Sequence, residues 1–196
     1  MLVTPDHWID TATREPIPGG ATMDLRRYLI IHCTSGASGE SSIAGWRADG
    51  GGVCAHFVID RDGTLIQCRP TNLTCGHAGK SLWHDHGHQY GNLNVCSIGI
   101  ELANAGCEAL AWAKRQPGYF GITARHKNGG PLREWEGYPP IQLRTVEILA
   151  KVLVARYNLD DVIGHEDIAP DRRDDPGPAF PMAELRTICG FPAAIS

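Results

Sequence analysis

No stretch of this 196-residue chain approaches the ~20 consecutive apolar residues that a membrane-spanning helix needs, so membrane insertion is not expected. Positive charge is not in excess either. Lys and Arg number 18 against 22 Asp and Glu, giving a net charge of -4 and a pI near 6.1, which leaves no broad field to attract nucleic acid. The seven cysteines, Cys33, Cys54, Cys68, Cys75, Cys96, Cys107 and Cys189, form no C-x-x-C pair and are odd in number. They are expected as reduced thiols, packed as small hydrophobes. The first residues, Met1-Leu2-Val3-Thr4-Pro5-Asp6, have neither the basic region nor the apolar run of a secretory leader. Cytoplasmic synthesis is the expectation, with release through a holin or a dedicated exporter left open. A helical H-E-x-x-H metalloprotease motif is also missing, because His165-Glu166 is followed by Asp167-Ile168-Ala169.

What is present suits one loop-rich domain. Hydrophobic residues make up 42% and charged residues 20%, while Gly 23 and Pro 13 imply many turns. Residues 1–26 read as an N-terminal arm, and residues 27–196 as the domain. Strand-like runs cover 27–34, 53–60, 64–69 and 95–102, with Arg61-Asp62-Gly63 as a hairpin link. A short helix is expected from Ser41 to Asp49. A long one is expected from Pro140 to Tyr157, with Leu143, Val146, Leu149, Ala150 and Leu153 at helical spacing. The pattern predicts an α/β (α+β) fold, a central mixed sheet flanked by helices. Residues 103–139 are too long for an ordinary connection and read as an insertion or active-site loop.

Within this frame two histidines stand at strand ends. His32 closes Tyr28-Leu29-Ile30-Ile31, and His165 closes Val162-Ile163-Gly164. Asp175 follows ten residues after His165 and is held by Pro176 and Pro178. Two imidazoles and a carboxylate make the three-ligand set of a catalytic Zn2+ site, whose fourth position takes water. Asp174 stands beside Asp175 as a competing carboxylate. The tract His84-Asp85-His86-Gly87-His88 invites a second metal reading but lacks a stiff frame, and a solvated loop is favoured there. His56 is expected as a satisfied core histidine. Trp83, Trp112 and Trp135 are expected in loops, where they either stack on sugar or cover the core.

Five motifs taken in order, Ile31-His32-Cys33-Thr34, Ala55 through Thr64, Gly76-His77-Ala78-Gly79, Ser97-Ile98-Gly99-Ile100-Glu101 and Gly164-His165 through Pro178, resemble the amidase-2 family. These are zinc-dependent N-acetylmuramoyl-L-alanine amidases, related to phage lysozyme-type amidases and peptidoglycan recognition proteins. The resemblance spans about residues 27–183. It implies Zn2+ bound by His32, His165 and Asp175, with Glu101 as acid/base catalyst. It also implies Arg173 as the oxyanion-stabilising cation, where the family commonly has lysine, and His77 as a substrate contact. Asp175 is preferred over Asp174 because it directly precedes Pro176-Gly177-Pro178, as in the family pattern. The implied partner is peptidoglycan or a soluble muropeptide, and the expected state is a monomer. A non-catalytic peptidoglycan-binding module is the alternative. A recycling enzyme, an endolysin and an exported effector all fit the same text.

Overall fold

Alternating side-chain direction organises the central sheet. In a computed structural model, described over residues 1–194, β2 (Tyr28–Cys33) and β7 (Ser97–Leu102) run parallel at its centre. Leu29, Ile31, Ile98, Ile100 and Leu102 point to one face, where they join the largest buried cluster. Tyr28, Ile30 and His32 point to the other, into or beside a second buried cluster. The strand order is β1-β4-β3-β7-β2-β10, with β1 at Thr13–Arg14, β3 at Phe57–Ile59, β4 at Leu65–Gln67 and β10 at Asp161–Gly164. Only the β3–β4 pair is antiparallel, so the sheet is mixed as expected. Gly63 takes φ 84° in the β3–β4 turn, the conformation for which the sequence supplies glycine.

Helices lie on both faces. The helix expected at Pro140–Tyr157 forms at those bounds and buries Val146, Leu149, Ala150 and Leu153 against the first face. In chain order it is α3, after α1 (Gly39–Ala48) and α2 (Leu110–Ala113), and before α4 (His165–Ile168) and α5 (Met182–Ile188). Helix α1 begins earlier than expected because Ser38, not Ser41, is the N-cap; the two serines satisfy each other's backbone N–H groups.

Three further features depart from the sequence reading. Residues 1–26 do not stand apart as an arm: β1 extends the sheet, and Ile9 and Met23 are buried in the main core. The expected C-terminal limit at residue 196 lies outside the described residues. The Leu82–Gly91 stretch is a hairpin, β5 (Leu82–Asp85) with β6 (His88–Gly91), turned by His86 and Gly87 at positive φ. Residues 103–139 contain a longer hairpin, β8 (Gly121–His126) with β9 (Gly129–Glu136). Trp83, Trp112 and Trp135 therefore lie in β5, α2 and β9 rather than in loops, and Trp83 and Trp135 are buried. No helix among the described residues is long and apolar enough to cross a membrane.

Candidate active site

Sheet register assembles the site. His32 on β2 is the direct partner of Glu101 on β7, and in a parallel pair partnered residues share a face. Strand β10 borders β2 on its other side and delivers His165 just past its end, while the following loop returns Asp175 to it. His32, His165 and Asp175 are 1%, 3% and 7% exposed, so their polar atoms cannot turn to solvent. Those atoms instead turn toward each other. His32 Nδ1 lies 2.9 Å from His165 Nδ1, Asp175 Oδ2 lies 3.1 Å from His165 Nδ1, and it lies 3.3 Å from His32 Nδ1. A tetrahedral metal with bonds of about 2.0–2.2 Å places its ligands roughly 3.3–3.6 Å apart. The triangle fits such an ion with small adjustment, and these three residues group as candidate metal ligands.

The outer nitrogens of the two imidazoles are also engaged. His165 Nε2 faces the Ala78 carbonyl at 3.3 Å, and His32 Nε2 faces His77 Nδ1 at 2.9 Å. Such partners fix the tautomer and ring orientation of a ligating histidine. His77, expected as a substrate contact, faces the outer nitrogen of His32. It borders the cleft, but it is buried, with Nδ1 on His32 and Nε2 facing Ser97. Burial holds both His32, at about 4, and His77 below the usual imidazole range, in the neutral state that ligates or supports a metal. Burial would raise the Asp175 carboxyl, but hydrogen bonds with His165 and His32 hold it well below its ordinary value.

Glycine at position 99 makes room for this support. A Cβ there would come within 2.6 Å of the His77 ring. Gly99→Ala is expected to cost about 1–3 kcal/mol of stability, the range for overpacking, and to weaken metal binding by about 10–100-fold through displacement of His77. Urea unfolding and a competitive metal titration measure the two effects separately. His56 is a satisfied core histidine as expected: its Nδ1 accepts from Gly99 N–H and its Nε2 donates to the Leu73 carbonyl.

Glu101 closes the metal side of a cleft of about 230 Å³, whose walls include Trp46, Val53, Arg173 and Asp174. Its Oε2 is buried with no hydrogen-bond partner, an orphan that calls for a group arriving from the cleft. Burial pushes this carboxyl up to about 8, the nearby Asp175 charge adds to the rise, and Arg173 opposes it. Arg173 is exposed, makes no ion pair among the described residues, and lies close enough for its charge to be felt at Glu101 and His32. Asp174 stands at the rim, where Cys107 Sγ approaches it at 3.8 Å, outside the donor triangle. The His84–His88 tract spans the end of β5, the two-residue turn and the start of β6, and contributes to no metal-ligating group among the described residues.

Sequence reasoning missed two supporting residues. Arg172 donates to the carbonyls of Ala78 and Lys80, which ties down the loop carrying His77. Glu166, next to the candidate ligand His165, is buried and accepts from His126 Nε2 at 2.6 Å. Neither has a local signal, since both act across more than 35 residues of chain.

Residues 22–178, most of the chain, match Amidase_2, the N-acetylmuramoyl-L-alanine amidase family. The chain belongs to this family. Amidase_2 relatives include the N-acetylmuramoyl-L-alanine amidase AmiD of Escherichia coli K12, 36% identical over 81% of this chain and 51% of its own length. The 1,6-anhydro-N-acetylmuramyl-L-alanine amidase AmpD of the same organism is 34% identical over 69% of this chain and 58% of its own length. This chain thus spans little more than half the length of these curated relatives. Among solved structures, E. coli AmiD in complex with anhydro-N-acetylmuramic acid-L-Ala-D-gamma-Glu-L-Lys aligns with TM-score 0.64 and 29% identity, over 85% of this chain and 58% of that one.

Proposed function

We propose that this protein is a zinc-dependent N-acetylmuramoyl-L-alanine amidase, which hydrolyses the amide between the lactyl group of N-acetylmuramic acid and L-alanine of the stem peptide. The observation that carries this reading is the buried donor triangle His32–His165–Asp175 beside the unpartnered Glu101 carboxyl, in one cleft of an Amidase_2 chain. A non-catalytic binding module has no use for a buried, unsatisfied acid next to a complete ligand set, so catalysis is favoured. Family membership and the all-nitrogen-and-oxygen donor set favour zinc.

Bound zinc supplies Lewis acidity and makes a water nucleophile accessible at neutral pH. The chain's own residues do the rest. Glu101 Oε2, free of other partners, takes the proton released by the attacking water and delivers it to the leaving nitrogen of L-alanine. A cation held by the neighbouring His32, His165 and Asp175 would favour the ionised Glu101 carboxylate, the form that can accept that proton. Arg173 contributes positive charge at the cleft, where the carbonyl oxygen becomes negative. His77 and the Ala78 carbonyl hold the two imidazoles in place throughout.

The test is product identification. The zinc-loaded protein, incubated with intact sacculi and with anhydro-N-acetylmuramoyl tripeptide, should release free stem peptides bearing an N-terminal L-alanine, read by mass. Products cut elsewhere, or none from either substrate, would remove the assignment. The balance of the two rates separates a wall-degrading from a muropeptide-recycling role.

A further inference from the structure

His165 and Asp175 are 10 residues apart in the chain, so the segment between them has to be held closed before both can offer an atom to one ion. Closing it in advance removes that entropic cost from metal binding. Glu166, the residue after His165, grips the far end of the segment twice. Its backbone N–H donates to the Asp175 carbonyl at 2.9 Å. Its carboxylate Oε2 accepts at 3.2 Å from the N–H of Gly177, just past Asp175.

Glu166 is 4% exposed, and a carboxylate so buried is tolerated only where donors meet its lone pairs. The remaining donors come from the β8–β9 hairpin. His126 Nδ1 accepts from Asn128 N–H, so its Nε2 carries the proton donated to Glu166 Oε2 at 2.6 Å. Lys127 Nζ lies 2.8 Å from Glu166 Oε1 and 2.6 Å from Oδ1 of Asp167, whose Oδ2 accepts from Gly164 N–H where β10 ends. Asn128 Nδ2 donates to the Glu166 carbonyl at 2.9 Å. Residues 126–128, at the hairpin's turn, thus clasp the two residues that follow the candidate ligand His165. The hairpin has few other anchors, since its strands bury only His126, Trp135 and Glu136. Trp135 Nε1 donates to the Ala124 carbonyl across the hairpin, and its ring lies so close to Gly177 that a Cβ there would come within 2.8 Å of it. The packing of the hairpin and the closure of the His165–Asp175 segment therefore share the same contacts.

We propose that Glu166 is a positioning residue that couples the β8–β9 hairpin to the metal site, so that the clasp at residues 126–128 sets how tightly His32, His165 and Asp175 hold a metal ion. The inference rests on the metal reading of those three residues. It gives the hairpin a part in metal retention without contact, since no hairpin residue belongs to the donor group among the described residues.

The experiment measures zinc affinity by competition with a chromophoric chelator, on metal-stripped protein whose fold is checked by circular dichroism, together with amide hydrogen exchange in β8 and β9. Glu166→Gln keeps the shape of the side chain but offers one acceptor oxygen and no charge. It should weaken zinc binding by about 10–100-fold, the range for residues that orient metal ligands. His126→Ala leaves Glu166 in place and cuts the hairpin's hydrogen bond to it, so zinc binding should weaken by about tenfold. His126→Gln, whose amide N–H can donate to the same oxygen, should restore most of that loss. Coupling is reciprocal, so zinc should slow exchange of the hairpin amides in unmodified protein by about the same factor, and this protection should vanish in His126→Ala. Unchanged affinity in Glu166→Gln or His126→Ala, equal loss in His126→Ala and His126→Gln, or hairpin exchange indifferent to zinc overturns the clasp and leaves the amidase reading standing. Zinc retention that depends on the clasp, without cleavage of any muramoyl substrate, upholds the clasp and overturns the amidase reading. Unmodified protein that binds no zinc overturns both.

Discussion

Asp175→Ala is expected to abolish activity by releasing the metal, with affinity falling by more than about 10²-fold. Loss of a residue that only hydrogen-bonds to a metal ligand costs about 10–100-fold, and Asp175 supplies one corner of the donor triangle itself. The substitution also leaves His32 Nδ1 and His165 Nδ1 facing each other at 2.9 Å without the carboxylate that both contact. Asp174→Ala is the control. Its side chain points to the rim and Cys107, so metal content should stay near one equivalent per chain. Elemental analysis of protein purified without chelator distinguishes the two variants directly. A variant lacking Asp175 that keeps its metal, or one lacking Asp174 that loses it, would show that the wrong carboxylate has been assigned.

Glu101→Gln is expected to retain metal and fold while lowering turnover by about 10²–10⁴-fold, the usual range for a positioned acid/base group. The substitution should not destabilise the protein, because the carboxyl it replaces is buried with an unpartnered oxygen. A pH signature accompanies it in metal-free protein. The Glu101 carboxyl titrates near its ordinary value, 4.5, when unfolded and at about 8 when folded. Between these values the folded state holds a proton that the unfolded state has released, so this group lowers stability as pH rises across that window. Its contribution is neutral below about pH 4.5 and most unfavourable above about pH 8. Urea unfolding at pH 5 and pH 8 should therefore show the stability of Glu101→Gln rising relative to unmodified protein as pH increases. A pH-independent difference would place the carboxyl in contact with solvent and remove the burial argument.

The sequence by itself determined the elements that carry a strong local pattern. Apolar residues at helical spacing behind Pro140 specified α3 at its observed ends. Apolar runs ending in His32 and Glu101 specified β2 and β7, and Gly63 marked the turn between β3 and β4. The ligand candidates were legible because each histidine closes a short apolar run and Asp175 precedes a proline-stiffened turn. Only the tertiary structure decided what depends on partners distant in the chain. The β8–β9 hairpin has mostly exposed residues, with Gly129, Gly130 and Pro131 at the start of β9, so no alternating apolar face announces it; Arg61, Glu166 and Gly177 hold it from elsewhere. The N-terminal residues looked like an arm because β1 is two residues long and exposed, and its place comes from pairing with β4. His77 has the same local surroundings whether it touches substrate or supports a ligand. The space left by Gly99 and the facing nitrogen of His32 bring it against the candidate ligand, and both are contacts that folding creates rather than patterns along the chain.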